Sequence, residues 1–164
     1  MIFATVGNDF RPFDRLIKKV DEIAPALPEE TLIQKGVSTY CPQHSRSFDF
    51  VPMETAADNL RKARLVISHG GIGTILLCKA YGTPLIIVPR RKTFQEHMND
   101  HQVEIARMLE ERKDRFIHVL YELDRLKETI LDHWDEKRDA GPDENKGKSA
   151  LVDTLREFLR GSSP

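Results

Sequence analysis

The stretch Leu65-Val66-Ile67-Ser68-His69-Gly70-Gly71-Ile72-Gly73-Thr74 constrains the fold of this chain more than any other. Its opening apolar run has the signature of a strand buried on both faces. The run empties without a spacer into a His-Gly-Gly-x-Gly-Thr turn, and helix-compatible sequence follows over residues 72–81. A strand that turns through glycines into a helix lets the backbone pass close to a bulky anion. The first N–H groups of such a helix have no intrahelical partner and point at that anion. A phosphate or diphosphate suits this geometry. The segment is not a P-loop, since it lacks Gly-Lys-Ser/Thr, nor a dinucleotide fingerprint, since Leu76 stands where a third glycine belongs.

Strand and helix signals alternate along the rest of the chain. Short apolar runs predict strands over residues 2–6, 31–34, 48–51, 85–88 and 116–120. Phe13, Leu16, Ile17, Val20 and Ile23 recur at helical spacing until Pro25 and Pro28. Further helices are predicted over residues 55–63, around Val103 to Leu109, and through Leu123, Leu126, Ile130 and Leu131. Trp134 and the methionines Met53, Met98 and Met108 read as packing residues. The pattern predicts a single Rossmann-like α/β domain over residues 1–137, with a mostly parallel six-stranded sheet and helices on both faces. Gly141-Pro142 and Gly147 among polar residues mark a linker over 138–147, followed by a C-terminal helix and tail over 148–164.

At 164 residues the chain is long enough for one ordinary domain with a sizeable core. A formal charge of −1 speaks against a nucleic-acid binder. Two cysteines far apart, Cys41 and Cys78, suit a reduced, cytoplasmic protein. The first strand begins at Ile2, leaving no room for a signal peptide, and no apolar run reaches the roughly 20 residues of a membrane span.

The second polar segment, Pro89-Arg90-Arg91-Lys92-Thr93-Phe94-Gln95-Glu96-His97-Met98-Asn99-Asp100-His101-Gln102, follows the strand over 85–88. Two polar loops at the ends of neighbouring strands describe a ligand crevice. His69 can donate to a phosphate oxygen, or merely cap its strand. Arg90 and Arg91 can neutralise a diphosphate, recognise an acidic sugar, or touch anionic lipid headgroups. His97 and His101 have the spacing of a helical metal pair. Met98 occupies the position a zinc motif gives to glutamate, and Asn99 reads as a helix N-cap that leaves His97 outside, so hydrogen bonding is the favoured role.

These motifs together resemble the C-terminal, nucleotide-sugar-binding domain of glycosyltransferase family twenty-eight, one half of the two-Rossmann-domain (GT-B) fold. The resemblance covers residues 2–111 and rests on Ala4-Thr5-Val6-Gly7, Ile33-Gln34-Lys35-Gly36, the His69 loop, Gly82-x-Pro84, Pro89-Arg90-Arg91, Glu96-His97 and Asn99-Asp100-His101-Gln102. Stand-alone versions of the domain are the nearest in pattern: the cytosolic subunit of the dolichol-linked N-acetylglucosaminyltransferase and PssE-type subunits of bacterial polysaccharide transferases. The last motif points toward the bacterial group.

The resemblance implies a UDP-sugar donor site. His69, Gly70, Gly71, Gly73 and Thr74 would hold the diphosphate, Glu96, Asp100 and Gln102 the sugar hydroxyls, and Thr5, Gly7 and Asn8 would face the cleft, with Arg90, Arg91 and His101 completing the set. Many relatives carry a ribose-binding glutamate where this chain has Leu77 or Cys78. The implied activity is inverting transfer of a hexose-type sugar from UDP-sugar to a lipid-linked acceptor in polysaccharide or glycan assembly, with no cofactor and no metal. The general base would come from a membrane-anchored, acceptor-binding partner, with Asp9 as a weak local candidate, and that partner would hold the chain at the cytoplasmic membrane face. Two other readings stay open: a non-catalytic nucleotide-sugar-binding regulatory module, and a self-sufficient homodimeric transferase.

Overall fold

A computed structural model describes residues 1–136 of the chain. Six parallel strands lie in the order β3-β2-β1-β4-β5-β6. They are β1 (Ile2–Thr5), β2 (Thr31–Gln34), β3 (Arg46–Phe48), β4 (Leu65–Ser68), β5 (Leu85–Ile87) and β6 (Ile117–Val119). The helices are α1 (Asp14–Ile23), α2 (Met53–Lys62), α3 (Ile72–Tyr81), α4 (His101–Arg112) and α5 (Leu126–Asp132).

Successive side chains of a strand point to opposite faces, so a strand covered on both sides must be apolar throughout. In β1, Ile2 and Ala4 join Ile67, Ile86 and the helical residues Leu16, Ile17, Val20, Leu126 and Ile130 on one face. Phe3 points the other way, into a layer with Val66, Leu85, Ile87, Leu60, Ile75, Ile105 and Leu109. Thus α1 and α5 cover one face while α2, α3 and α4 cover the other. Successive strands are added outward from β1 to β3 on one side and from β4 to β6 on the other, and the C-terminal ends of β1 and β4 flank the crevice where open α/β sheets receive ligands.

The third strand is shifted from its expected place at 48–51 to Arg46–Phe48. It is an edge strand whose side chains stay largely accessible, so it carries no apolar pattern. Phe50, whose hydrophobicity suggested a strand, is instead exposed in the loop beyond. The second helix starts at Met53 rather than Thr55, and the N-cap position of the fourth is Asp100 rather than Asn99, although the Asn99 side chain accepts the His101 N–H. Met53, Met98 and Met108 are exposed, contrary to the packing role expected of them. Trp134 does pack, partly buried against the α1/α5 layer, with the Arg64 guanidinium 4.6 Å over its ring. The expected linker over 138–147 and helix over 148–164 lie outside the described residues.

Candidate functional site

The cleft at the β1/β4 switch encloses about 250 Å³. Among the residues singled out from sequence, Thr5, Gly7, Asn8, His69, Gly71, Gly73 and Thr74 line it together. Their positions follow from short local links. Thr5 donates from Oγ1 to Gln34 Oε1 at 2.6 Å and accepts from the Gly7 N–H at 3.1 Å. Gln34 Nε2 in turn donates to Asn8 Oδ1 at 3.2 Å. This relay fixes the turn after β1, where Gly7 takes a left-handed φ of +71°.

His69 lies between two glycines. A Cβ on Gly7 would stand 2.5 Å from the His69 Cε1, and a Cβ on Gly71 would stand 2.5 Å from its Nε2. Gly71 has an ordinary φ of −66°, so its lack of a side chain is needed for the imidazole rather than for the backbone. Ser68 Oγ and His69 Nδ1 are 3.3 Å apart. Burial, reinforced by the nearby Arg90 charge, pushes the His69 pKa down to about 4. The ring is therefore neutral at neutral pH. It can offer one hydrogen bond to a ligand but no positive charge.

Partial positive charge is available instead at the start of α3. This helix begins at the Gly71 cap with no side-chain cap and no acidic residue in its first turn. Its first N–H groups have no intrahelical partners, and the helix dipole adds partial positive charge there. Gly73 faces open space, with nothing within 4 Å of where a Cβ would be. The cleft lining includes no carboxylate, the ligand type a magnesium ion would use.

The other wall is apolar, made by Phe3, Val51, Met53, Ala56, Leu60 and Leu77. Of the two positions considered for the missing glutamate, Leu77 faces the cleft while Cys78 is buried in the core. Gln34 and Met53 were not singled out as site residues. The strand-end position of Gln34 could have flagged it, whereas nothing in the pattern marks Met53 as a cleft residue.

The second loop is placed differently from the sequence expectation of a shared crevice. Arg90 is fully buried, and its guanidinium donates to the carbonyls of Arg11 (2.9 Å), Pro12 (3.2 Å), Glu96 (3.2 Å) and Val6 (3.0 Å). It also lies 4.8 Å over the Phe13 ring. Burial lowers its pKa, against the opposing charges of Asp9 and Glu96. Glu96 grips Arg15 of α1 through both oxygens, at 2.8 and 3.0 Å, and accepts the Arg91 N–H. Gln102 Oε1 accepts the Arg90 N–H at 3.1 Å. These three side chains are used within the fold, tying the loops after β1 and β5 to each other.

Arg91 turns away to the Tyr121 carbonyl and Glu122, and with Asp100 lines a separate hollow bounded by α4. His101 is exposed beside Glu104. His97 bonds Asn99 and has its Nε2 3.9 Å from Asp9 Oδ2, so these two residues meet at the end of the β1 turn.

The architecture is that of one half of a two-Rossmann-domain (GT-B) glycosyltransferase. Solved structures agree: the kitacinnamycin glycosyltransferase superposes with a TM-score of 0.63 at 19% identity, over 98% of this chain and 39% of that one. The spinosyn forosaminyltransferase SpnP gives 0.61 at 18% identity, over 99% of this chain and 40% of that one. More particularly, the chain belongs to the family of the glycosyltransferase family 28 C-terminal domain, whose profile matches residues 1–156. It is also similar to the UDP-N-acetylglucosamine transferase subunit ALG13 of Mus musculus, 33% identical over 118 residues, which is 65% of this chain and 10% of that protein. The Homo sapiens counterpart is 32% identical over 119 residues, 66% of this chain and again 10% of the relative. The chain thus spans about a tenth of the length of these curated relatives.

Proposed function

We propose that this chain is the donor-binding half of a UDP-sugar glycosyltransferase. It transfers a hexose-type sugar with inversion to a lipid-linked acceptor, in company with a membrane-anchored subunit that supplies the acceptor half. The observation carrying this reading is the uncapped N-terminus of α3, with Gly71, Gly73 and Thr74 lining the switch-point cleft opposite an apolar wall. The uracil and ribose would lie along Leu77, Leu60 and Met53, and the diphosphate at the α3 N–H groups. As the bond to the sugar breaks, negative charge grows on the departing phosphate. Preorganised N–H donors stabilise that charge without reorganising. Neutral His69 adds one hydrogen bond. The acceptor hydroxyl loses its proton to a base on the partner, with Asp9 a secondary candidate.

The need for a partner is supported by the two relatives, each named as a transferase subunit, and by a rim of exposed apolar side chains. Phe10, Phe50, Met53, Ile72, Phe94 and Met98 all follow the C-terminal ends of strands, and so share the edge on which the cleft opens. Among the described residues no helix is long and apolar enough to cross a membrane.

Isothermal titration tests the donor site: UDP binds more tightly than ADP or NAD. A preference for NAD, or no nucleotide binding at millimolar concentration, overturns the reading. Co-expression with the anchored subunit, followed by glycosyl transfer to lipid-linked acceptor, tests the division of labour. Robust transfer by the purified chain alone defeats it, and UDP-sugar binding without transfer in either setting marks a regulatory module.

A further inference from the structure

His118 on β6, and His133 and Glu136 just beyond α5, form a cluster that the cleft does not use. Their ligand atoms all lie within 4.8 Å of one another. His118 Nε2 is 3.0 Å from Glu136 Oε2, and His133 Nδ1 is 2.8 Å from Glu136 Oε1. The two imidazoles stack with centroids 3.3 Å apart and planes inclined by 13°. All three side chains are half-buried, so they are partly shielded and still reachable from solvent. Nitrogens on two separate elements thus converge on one carboxylate.

We infer that these residues form a site for one divalent transition-metal ion of the zinc type, separate from the sugar-nucleotide cleft. Two imidazoles and one carboxylate are a recognised zinc donor set, with a fourth position left for water. Bond lengths near 2.0–2.2 Å in a tetrahedron put ligand atoms roughly 3.3 Å apart. The two His–Glu contacts must lengthen by a few tenths of an ångström, while the widest pair of ligand atoms, within 4.8 Å, draws in. Ligation uses the lone pair of the ring nitrogen that faces Glu136, so a hydrogen carried there passes to the other ring nitrogen or to solvent as the metal bond forms.

The position gives the ion a task. His118 belongs to the edge strand, which β5 separates from the β4 side of the cleft. His133 and Glu136 lie at the end of the described chain, where Arg64 also holds the Trp134 carbonyl through two bonds of 3.2 Å. An ion at the cluster would clamp the segment leaving α5 onto β6. The sequence directed attention to His97 and His101. The residues that converge are instead a His133/Glu136 pair three positions apart and His118, 18 positions before Glu136.

The test is titration of the full-length chain, in a Cys41→Ser background that removes the exposed thiol, with Co²⁺ and then Zn²⁺. One equivalent of Co²⁺ should give the intense visible bands of a tetrahedral site and quench the single tryptophan, Trp134. Zn²⁺ should displace it. At about 100-fold excess over its dissociation constant, Zn²⁺ should raise the melting temperature by roughly 5–10 °C. Both responses should fall at least tenfold in affinity in His133→Gln and Glu136→Gln, and persist in a His97→Ala/His101→Ala variant. Circular dichroism without metal identifies a variant that fails to fold. Glu136→Gln, at a partly accessible position outside any helix or strand, serves if His118→Ala or His133→Gln does. Tetrahedral bands unchanged in Glu136→Gln and His133→Gln, or no binding at 100 µM metal, overturn the inference.

Discussion

Replacing Arg90 separates a residue that holds the fold from one that holds the ligand. Its guanidinium makes four hydrogen bonds to main-chain carbonyls from two loops. Hydrogen bonds to charged groups contribute about 1.5–3 kcal/mol each when deleted singly, but four on one side chain share a single desolvation cost and do not add. Removing one member of a buried polar network typically costs about 3–5 kcal/mol, and that is the expected loss for Arg90→Ala. Against a total stability of roughly 5–15 kcal/mol, the variant would be marginal. With a urea dependence near 2 kcal/mol per molar, the unfolding midpoint should fall by about 1.5–2.5 M. Arg90→Lys should recover part of this, since an ammonium keeps the charge but cannot reach four carbonyls in one plane. The assay is urea unfolding followed by circular dichroism, paired with UDP titration under native conditions. A midpoint within about 0.3 M of the parent, together with a large loss of UDP affinity in Arg90→Ala, would refute this assignment and return Arg90 to the diphosphate.

Gly71→Ala should destabilise the protein by about 1–3 kcal/mol through overpacking against the His69 ring, and His69→Ala should relieve most of that cost in the double variant. Additive losses in the denaturation cycle would exclude the steric cause. His69 has its pKa lowered to about 4 in the fold, so its contribution is complete above the unfolded value near 6.5. It is lost as pH falls from there toward 4, on the order of 3 kcal/mol in all. Stability profiles of parent and His69→Gln should converge at the acid end of that window, and parallel profiles would remove His69 as the source. Gly73→Ala, at a position with open space, should leave folding unchanged yet weaken UDP binding as a methyl enters the ligand's room; unchanged affinity would move the diphosphate elsewhere. Chelators should leave UDP affinity unchanged even where they lower the melting temperature, and a loss of both would connect the cleft to a metal.

The sequence revealed those parts of the molecule where burial dictates residue type. Leu65 to Ile67 of β4 and Leu85 to Ile87 of β5 had to be apolar because both faces are covered, and the Gly7 and Gly71 neighbourhoods had to be bare because an imidazole occupies them. β3 was expected two residues late because an edge strand of Arg46, Ser47 and Phe48 faces no such demand, while Phe50 and Val51 beyond it imitated one. Half of the expected site gathered in the cleft. The remainder, from Arg90 to Gln102, did not, for a chemical reason. Charged and amide side chains beside a cleft have the same one-letter identity whether they serve a ligand or satisfy main-chain carbonyls. Arg90 meets carbonyls some eighty positions earlier in the chain, and no local spacing encodes that.

β1 is synthesised before the other five described strands, yet it occupies the centre of the sheet, between β2 and β4. Its partner β4 lies about sixty residues later in the chain, with Ile2 opposite Leu65. At translation rates of about 5–20 residues per second, β1 therefore waits roughly 3–12 s for that partner. Throughout the interval one edge of an apolar strand stays unpaired, a template for adhesion to another chain. The ribosome-bound nascent chain, rather than the finished domain, is the form of this protein most exposed to aggregation, and the one to which a chaperone would matter.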